Sequence, residues 1–303
     1  VLRTYKLFIF IIMSEIITIQ EASVLWLKTL GNKVAFFHEQ FICFLTEARD
    51  TKEFEGRQII KLRKDANIKR LFNETVYFLE NHNLIQSTNY NYHILKNKNA
   101  SELEIICSLY PYGYVSYLTA MSIYNLTNRF PKSIDFVAPN REIWKKNISE
   151  NHINQPIMYP SEVIKFKNKK INLHSRKYLM TYTTRDQNIR VIDIGCLFLE
   201  MLRFPYKCGG FQHVFEIYEE MGEIFSEEIL IATEKYGNNI DKSRVGYILE
   251  KLLDVEDDRI KDWKVTAVYR GGSRKMIAEN PYSNIYDEDW NLSLNHDIFR
   301  SKI

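Results

Sequence analysis

Apolar side chains recur every three or four positions along four segments of the N-terminal third, residues 20–30, 34–48, 56–62 and 68–82. This spacing predicts four amphipathic helices, because it gathers the apolar side chains on one face of each. The period then changes. Residues 84–86 and 92–95 are predicted to be short strands, and the polar residues 87–91 between them are typical of a turn, so the two strands are predicted to form a β-hairpin.

The order of these predicted elements is that of a known DNA-binding module. Helices, a polar turn at 64–67, a further helix and a hairpin follow one another as they do in a winged helix-turn-helix. We therefore assign residues 33–96 to a winged helix-turn-helix domain and residues 1–32 to an N-terminal extension. The hairpin is the main reason for this interpretation, because the helices alone would also be expected in any small helical bundle.

The rest of the chain, residues 97–303, mixes both periods and is predicted to be a second domain. Helical spacing marks residues 114–126 and 193–254, the latter broken at Pro205 and at Gly209-Gly210. Strands are predicted at 133–137, 178–184 and 189–191, and a strand-rich stretch is predicted from 263 onward. The fold class predicted for the whole chain is therefore α+β, with a winged helix-turn-helix domain followed by a mixed α/β domain.

Composition limits the function classes without choosing among them. The 303 residues are 45% hydrophobic and 26% charged, which suits a globular protein with sizeable cores, and the net charge of +3 neither requires nor excludes a nucleic-acid partner. The four cysteines form no Cys-x-x-Cys pair: Cys43, Cys107, Cys196 and Cys208. We therefore expect reduced thiols in a cytoplasmic protein, with no metal site and no cofactor.

The first residues imitate a signal peptide but lack its defining parts. Arg3 and Lys6 precede a short apolar run at residues 7–12, and no small-residue cleavage site follows. The run is also far shorter than the roughly 20 residues that a membrane helix needs. We expect residues 1–12 to be a gene-start artefact upstream of Met13 or a disordered tail, with a real strand or anchor as the alternative, and we expect no membrane partner.

Cations cluster where the predicted module would meet DNA. The polar face of the 68–82 helix carries Lys69, Arg70 and Asn73, and the preceding segment supplies Arg57, Lys61, Arg63 and Lys64. Lys and Arg would contact phosphates, Arg70 or Asn73 would contact base edges, and Tyr90 and Asn91 would place the hairpin tip along the duplex. The alternative is that these side chains form only the solvated face of the helices.

Four blocks of sequence, in order, resemble the AbiEi antitoxin family. The first is Tyr114-Val-Ser-Tyr-Leu-Thr-Ala120 with the Asn125-Leu-Thr127 and Ile134-Asp-Phe-Val137 segments that follow it. The other blocks lie at 190–205 with 208–211, at 236–238 with 244–250, and at 271–274 with 281–282 and 290–295. The resemblance spans residues 84–295, and the chain departs from the family in the segment that precedes its winged helix.

Residues in these blocks also have purely structural interpretations. Gly209-Gly210 after Pro205 would allow a tight reversal between two helices. The segment 244–247 is predicted to be helical, with Gly246 permitting the close approach of a neighbouring element. Residues 290–294 alternate as an edge strand does.

The resemblance implies a function in a two-gene toxin–antitoxin or abortive-infection system. Members of the family bind operator DNA through a winged helix and repress their own operon. Their C-terminal domain counters a nucleotidyltransferase-like toxin, generally without forming a stable complex with it. The resemblance therefore implies double-stranded operator DNA as a partner, a toxin as a functional partner, and no enzymatic activity.

A second group of basic residues lies in the predicted C-terminal domain. It comprises Lys165, Lys167, Lys169, Lys170, Arg176 and Lys177. This segment is interpreted as a second nucleic-acid surface, as a partner surface or as a solvated loop, because runs of charge commonly face water.

Two other functions remain as alternatives to the antitoxin. A metal-dependent nuclease would start from Asp135 with Glu162 and Lys165, but the Glu-x-x-Lys spacing does not put both side chains on one face of a strand. No histidine stands in a nucleophile context, and Gly271-Gly272-Ser273 lacks the lysine of a phosphate loop. A stand-alone regulator or a protein-interaction module, for which the 14% aromatic content would provide an interface, is the other alternative.

Overall fold

The computed structural model describes residues 15–96, 99–150, 165–166, 169–186, 188–269, 272 and 274–301. The predicted tail or artefact at residues 1–12 lies outside these ranges. Helices and small sheets alternate along the chain, which agrees with the predicted α+β class. Along the described part of the chain, no helix combines the length and apolarity needed to cross a lipid bilayer.

Residues 15–96, the described part of the first third of the chain, form three helices and two three-stranded sheets. The elements are β1 (Ile16–Ile17), α1 (Ile19–Thr29), β2 (Ala35–Phe37), α2 (His38–Thr51), β3 (Glu53–Phe54), β4 (Arg57–Ile59), α3 (Ile68–Asn81), β5 (Ile85–Ser87) and β6 (Tyr92–Leu95). One sheet has the strand order β1-β4-β3 and the other has the order β2-β6-β5. The predicted hairpin is confirmed as the antiparallel pair β5–β6, to which β2 adds a third strand that the sequence analysis did not predict.

Residues 56–62 do not form the predicted helix. The chain makes a tight reversal between β3 and β4, with positive φ at Glu55 and Gly56, and β4 also pairs in parallel with β1. Seven residues that begin on a glycine in the left-handed region gain little from helix formation, whereas a strand finds two partners here. The helical period inferred for this segment was wrong.

Helix α1, which the sequence analysis assigned to an N-terminal extension, packs in the same core as the predicted winged helix-turn-helix. Thr18 caps it through a reciprocal capping box with Glu21. Its Trp26 ring lies 5.0 Å from the Phe36 ring and 5.4 Å from the Phe44 ring, measured between centroids. Ring packing of this kind joins α1 to α2 and β2 as one hydrophobic unit.

The second part of the chain is built on a six-stranded mixed sheet. Its elements up to the sheet's last strand are α4 (Glu102–Leu109), β7 (Tyr114–Val115), α5 (Tyr117–Ile123), β8 (Ser133–Pro139), α6 (Arg141–Glu150), β9 (Lys165–Phe166), β10 (Lys169–Arg176), β11 (Tyr182–Arg185) and β12 (Ile189–Ile192). The strand order is β11-β12-β7-β8-β10-β9, and β8 and β10 run parallel over seven residue pairs. The large hydrophobic core of this part also takes in Val34, Phe37 and Tyr92, so the two parts of the chain share buried side chains.

Helices follow the sheet, as predicted for residues 193–254. They are α7 (Ile194–Arg203), α8 (Phe211–Met221), α9 (Ser226–Tyr236) and α10 (Asn239–Tyr247), with a 3-10 turn at Pro205–Lys207 and a π-helical turn at Ile248–Leu252. The predicted reversal at Gly209-Gly210 is confirmed by positive φ at both glycines, a conformation that favours glycine.

The C-terminal segment differs from its prediction in two ways. Helix α11 (Asp258–Tyr269) covers residues 263–269, where the strand-rich stretch was predicted to begin. The remaining elements are β13 (Arg274–Lys275), β14 (Tyr286–Asp287), β15 (Leu292–Ser293) and a 3-10 turn at Asp297–Ser301. Strand β15 is the central strand of the order β13-β15-β14 and not an edge strand, which explains why Leu292, Ser293 and Leu294 are all buried.

Candidate functional site

The polar face of α3 is exposed over the whole length of the helix. Leu71, Val76 and Leu79 face the core, whereas Lys69, Arg70 and Asn73 lie in solvent. The Asn67 side chain accepts a hydrogen bond of 3.0 Å from the Arg70 amide, which caps the helix at its N-terminus. A capped helix with a solvated polar face can present these donors to a partner without refolding.

Arg70 has an intrahelical partner that a ligand can replace. Its Nε lies 2.7 Å from Oε1 of Glu74 one turn further on, and the arginine side chain remains 80% exposed. Ion pairs this exposed stabilise a helix only weakly, because water screens the two charges. A phosphate or a guanine edge can therefore compete with Glu74 for the guanidinium at little cost.

The hairpin tip beside α3 is ordered by its own hydrogen bonds. Thr88 Oγ1 donates to Tyr92 O at 2.7 Å and accepts from the Tyr90 amide at 3.2 Å. The Asn91 carbonyl accepts from the His38 amide at 2.9 Å, which ties the tip to the N-terminus of α2. Tyr90 and the Asn91 side chain remain exposed, as the predicted contact with DNA requires.

The basic residues that precede α3 divide into two groups. Lys61, Arg63 and Lys64 are exposed in the segment between β4 and α3, with Lys61 at a φ of +58°. Arg57 instead lies half-buried on β4, where its Nη1 is 3.5 Å from Oε2 of Glu55. The first group extends the positive surface of α3, whereas the charge of Arg57 is balanced locally.

Two residues on the α3 surface were missed by the sequence analysis. Tyr77 is 69% exposed one turn after Asn73, and Asn81 is exposed one turn further on. Asn73, Tyr77 and Asn81 follow one another at intervals of four residues, so the sequence already indicated that they share one face of the helix. An exposed tyrosine at this place adds a flat apolar side chain with a hydroxyl to the face.

The second group of basic residues does not form one continuous surface. Lys169 and Lys170 are exposed at the start of β10, and Lys169 lies 3.4 Å from the Glu102 carboxylate. Arg176, at the other end of the strand, is half-buried in a polar network. Because β10 is about 20 Å long at the usual rise per residue, its two ends are separate sites. Lys167 and the Lys165 side chain lie outside the described residues.

That network joins three elements around Tyr117. The Tyr117 hydroxyl donates to Oε2 of Glu200 at 2.7 Å and accepts from Nη2 of Arg176 at 2.6 Å. Burial, reinforced by the Glu200 charge, raises the pKa of Tyr117, so its hydroxyl stays protonated. Tyr117 opens α5 with a φ of +51°, a rarely populated conformation that directs this side chain toward α7.

Arg203 continues the network toward α10. Its Nη2 lies 2.7 Å from Oδ2 of Asp241 and donates to Tyr236 O at the same distance, while Nη1 is 3.4 Å from Oε1 of Glu200. Asp241 is 4% exposed on its side chain, so this pair holds α7 and α10 together away from water.

Of the residues of the nuclease alternative, Asp135 is described and takes part in a hydrogen-bonded group. Asp135 Oδ1 lies 3.0 Å from His174 Nε2 and accepts from Asn172 Nδ2 at 3.2 Å. Lys207 Nζ lies 3.1 Å from the other ring nitrogen of His174. Glu162 lies outside the described residues. Within the described ranges no group of three or more His, Cys, Asp or Glu side chains has the geometry of a metal site.

The cysteines are separate from one another. Cys107, Cys196 and Cys208 are buried and Cys43 is exposed on α2. Burial raises the pKa of Cys107 and of Cys196, which keeps both as thiols.

Comparison of the chain with protein-family models and with curated proteins gives no match. The resemblance to the AbiEi antitoxins therefore rests on the sequence blocks between residues 84 and 295.

Proposed function

We propose that this chain is a DNA-binding regulator in which α3 is the recognition helix of a winged helix-turn-helix. The observation that carries the proposal is the exposed polar face of α3 beside an ordered hairpin. Lys69, Arg70 and Asn73 would enter the major groove, and Tyr90 with Asn91 would lie along the adjacent backbone.

The order of elements supports this assignment. Helix α1, strand β2, helix α2, helix α3 and the hairpin β5–β6 follow one another, with β2 completing the sheet of the hairpin. This succession is typical of winged helices, and under this proposal α1 serves as the first helix of the module. The β3–β4 hairpin is then an insertion between the two helices of the helix-turn-helix pair.

Charge around α3 favours a polyanion. Within residues 61–81 five exposed cations stand against two exposed carboxylates, those of Asp65 and Glu74: Lys61, Arg63, Lys64, Lys69 and Arg70. Phosphate contacts of this kind provide most of the affinity of non-specific DNA binding. The whole chain has a net charge of only +3, so this surface concentrates positive charge at one place.

We further propose that the regulator is an antitoxin of the AbiEi-like kind. This step rests on the resemblance of residues 84–295, which predicts autorepression of an operon and neutralisation of a nucleotidyltransferase-like toxin. Co-expression with the neighbouring gene tests it. Rescue of growth when the chain is present supports the antitoxin, and growth inhibition that the chain leaves unchanged refutes it.

The DNA contact is tested with three substitutions on α3. We expect Lys69→Ala/Arg70→Ala/Asn73→Ala to weaken binding to the chain's own upstream DNA by about a hundredfold, since each lost contact costs about 1–3 kcal/mol and some loss is shared. The measurement is a gel shift together with circular dichroism of each variant. The matched control, Lys132→Ala/Lys145→Ala/Asn284→Ala, removes exposed residues of similar type elsewhere and should bind as the wild type does. Equal affinity of both triple variants would refute the placement of the recognition helix.

A further inference from the structure

A cavity of about 580 Å³ opens beside the polar network of the second part of the chain. Its walls come from the end of β10, the end of α7, the start of α10 and the segment 177–180. This volume falls within the usual range of small-molecule sites. The cavity is separate from the proposed recognition helix, so a ligand could bind there whether or not α3 binds DNA.

Positive charge exceeds negative charge around the cavity. Arg176, Lys177, Arg203 and Arg244 line it, against the carboxylates of Glu200 and Asp241. Arg203 is held by both carboxylates and Arg176 by one of them. The lining therefore has two more cations than carboxylates. The two cations that form no ion pair with these carboxylates are Lys177 and Arg244.

Arg244 is the buried member of this pair. Only 7% of the residue is exposed, and its Nε donates to Lys275 O at 2.9 Å. Among the described residues no carboxylate forms an ion pair with its guanidinium, and its two terminal nitrogens have no hydrogen-bond acceptor. Burial lowers the pKa of Arg244, and the charges of Asp241 and Glu279, which act in the opposite direction without forming an ion pair with it, offset this only in part.

A mostly buried guanidinium with two unused terminal nitrogens is suited to binding an anion. Removing a charge from water is costly unless an opposite charge or hydrogen-bond acceptors replace the lost solvent. Two free terminal nitrogens can hold two oxygens of one group side by side, which is the geometry in which arginine binds carboxylates and phosphates. Lys177 is a second cation in the lining of the same cavity and is exposed to solvent.

Apart from Asn238, the remaining lining is apolar or aromatic. Tyr178, Leu179, Met180 and Tyr236 line the cavity, and Tyr178 is 78% exposed at its rim. A single inorganic anion would leave most of this volume and all of this apolar surface unused. The lining therefore fits an anion that carries an organic body.

We propose that the cavity binds a phosphate monoester of a small organic molecule, with Arg244 and Lys177 holding the phosphate and Tyr178 and Tyr236 contacting the organic part. A phosphate monoester carries a charge of about −1.5 to −2 near neutral pH, which matches the excess of two cations. A monocarboxylate carries a single negative charge and would neutralise only one of the two excess cations.

Isothermal titration calorimetry of the full chain tests this assignment with four probes: phenyl phosphate, inorganic phosphate, benzoate and phenol. We expect phenyl phosphate to bind with one-to-one stoichiometry and at least about tenfold more tightly than the other three probes. Absence of phenyl phosphate binding at millimolar concentration would overturn the proposal. Equal binding of benzoate would refute the phosphate, and equal binding of inorganic phosphate would refute the organic part.

Two variants locate the binding. Arg244→Gln should weaken phenyl phosphate binding by about tenfold or more, and Lys177→Gln by a few-fold. Since Lys177 is exposed, its variant decides the outcome if loss of Arg244 impairs folding. Lys170→Gln, on the same strand as Arg176 but outside the cavity lining, is the matched control and should bind as the wild type does. Unchanged affinity in both Lys177→Gln and a folded Arg244→Gln would overturn the site.

Discussion

His38 and His93 lie against each other between α2 and the hairpin, with ring centroids 4.3 Å apart. His93 is 1% exposed, and its Nδ1 lies 3.1 Å from Ser87 Oγ. Within the described part of the chain, Nε2 of each ring is buried without a hydrogen-bond partner. Both rings therefore pack as neutral aromatic groups, because burial disfavours a charge on either ring.

Because of the buried His38–His93 pair, we expect the protein to lose stability in mild acid. Burial, followed by the neighbouring His38, lowers the pKa of His93 to about 3, whereas a histidine in an unfolded chain titrates near 6.5. Between these values only the unfolded state binds the proton, so the stabilising contribution is complete above pH 6.5 and is lost as the pH falls toward 3. From pH 7 to pH 5 we expect His93 alone to reduce the free energy of unfolding by about 2 kcal/mol.

Urea unfolding of the wild type and of His93→Phe at both pH values measures this contribution. The phenylalanine keeps the packing against Phe36 and Phe72 and removes the titrating group. We expect the variant to lose about 2 kcal/mol less than the wild type between the two pH values. His296→Phe, in the other part of the chain, is the control. A pH dependence that His93→Phe leaves unchanged would show that the pair does not titrate in this way.

At the scale of elements, α3 depends on its first turn. The Asn67 side chain is the cap of this helix and holds the amide of Arg70, one of the proposed DNA contacts. Loss of an N-cap side chain typically costs about 1 kcal/mol and frays the first turn, where Lys69 and Arg70 stand.

We expect Asn67→Ala to lower the free energy of unfolding by about 1 kcal/mol and to weaken DNA binding by a few-fold, because fraying must be reversed on binding. Asn67→Ser, which keeps a cap oxygen, should restore most of both properties. Chemical denaturation and the gel shift measure the two effects. If Asn67→Ala is as stable as the wild type and binds DNA equally well, the cap does not order the recognition surface.

The elements also show what the sequence could predict and why the rest was missed. Helix α3 was predicted because its apolar residues keep a helical spacing over several turns. The β5–β6 hairpin was predicted because a polar turn separates two short strands. The β3–β4 hairpin was missed because its strands are too short for a period to show. The close approach predicted at Gly246 is confirmed, since a Cβ added there would overlap the indole of Trp290.

At the scale of the whole molecule, the two proposed sites differ in how they are encoded. The proposed DNA-binding face lies on consecutive turns of one helix, so its residues recur at helical spacing in the sequence. The cavity instead gathers Arg176, Arg203 and Arg244 from one strand and two helices. Only tertiary packing brings such distant positions together, and the sequence analysis assigned Arg244 to a structural motif and Arg176 to a surface.

The placement of charge predicts how DNA binding by the whole molecule responds to salt. Each phosphate contact releases counterions, so the logarithm of the binding constant falls with the logarithm of salt concentration by about 0.9 per contact. We expect Lys69→Ala/Arg70→Ala to reduce the magnitude of this slope by about 1 to 2, because one or both cations contact phosphate.

Asn73→Ala should instead leave the slope unchanged and lower the preference for the cognate sequence, since an amide reads bases without releasing counterions. Fluorescence anisotropy at several salt concentrations, with cognate and scrambled duplexes, separates these effects. Equal slopes for the double variant and the wild type would mean that α3 does not lie against the phosphate backbone.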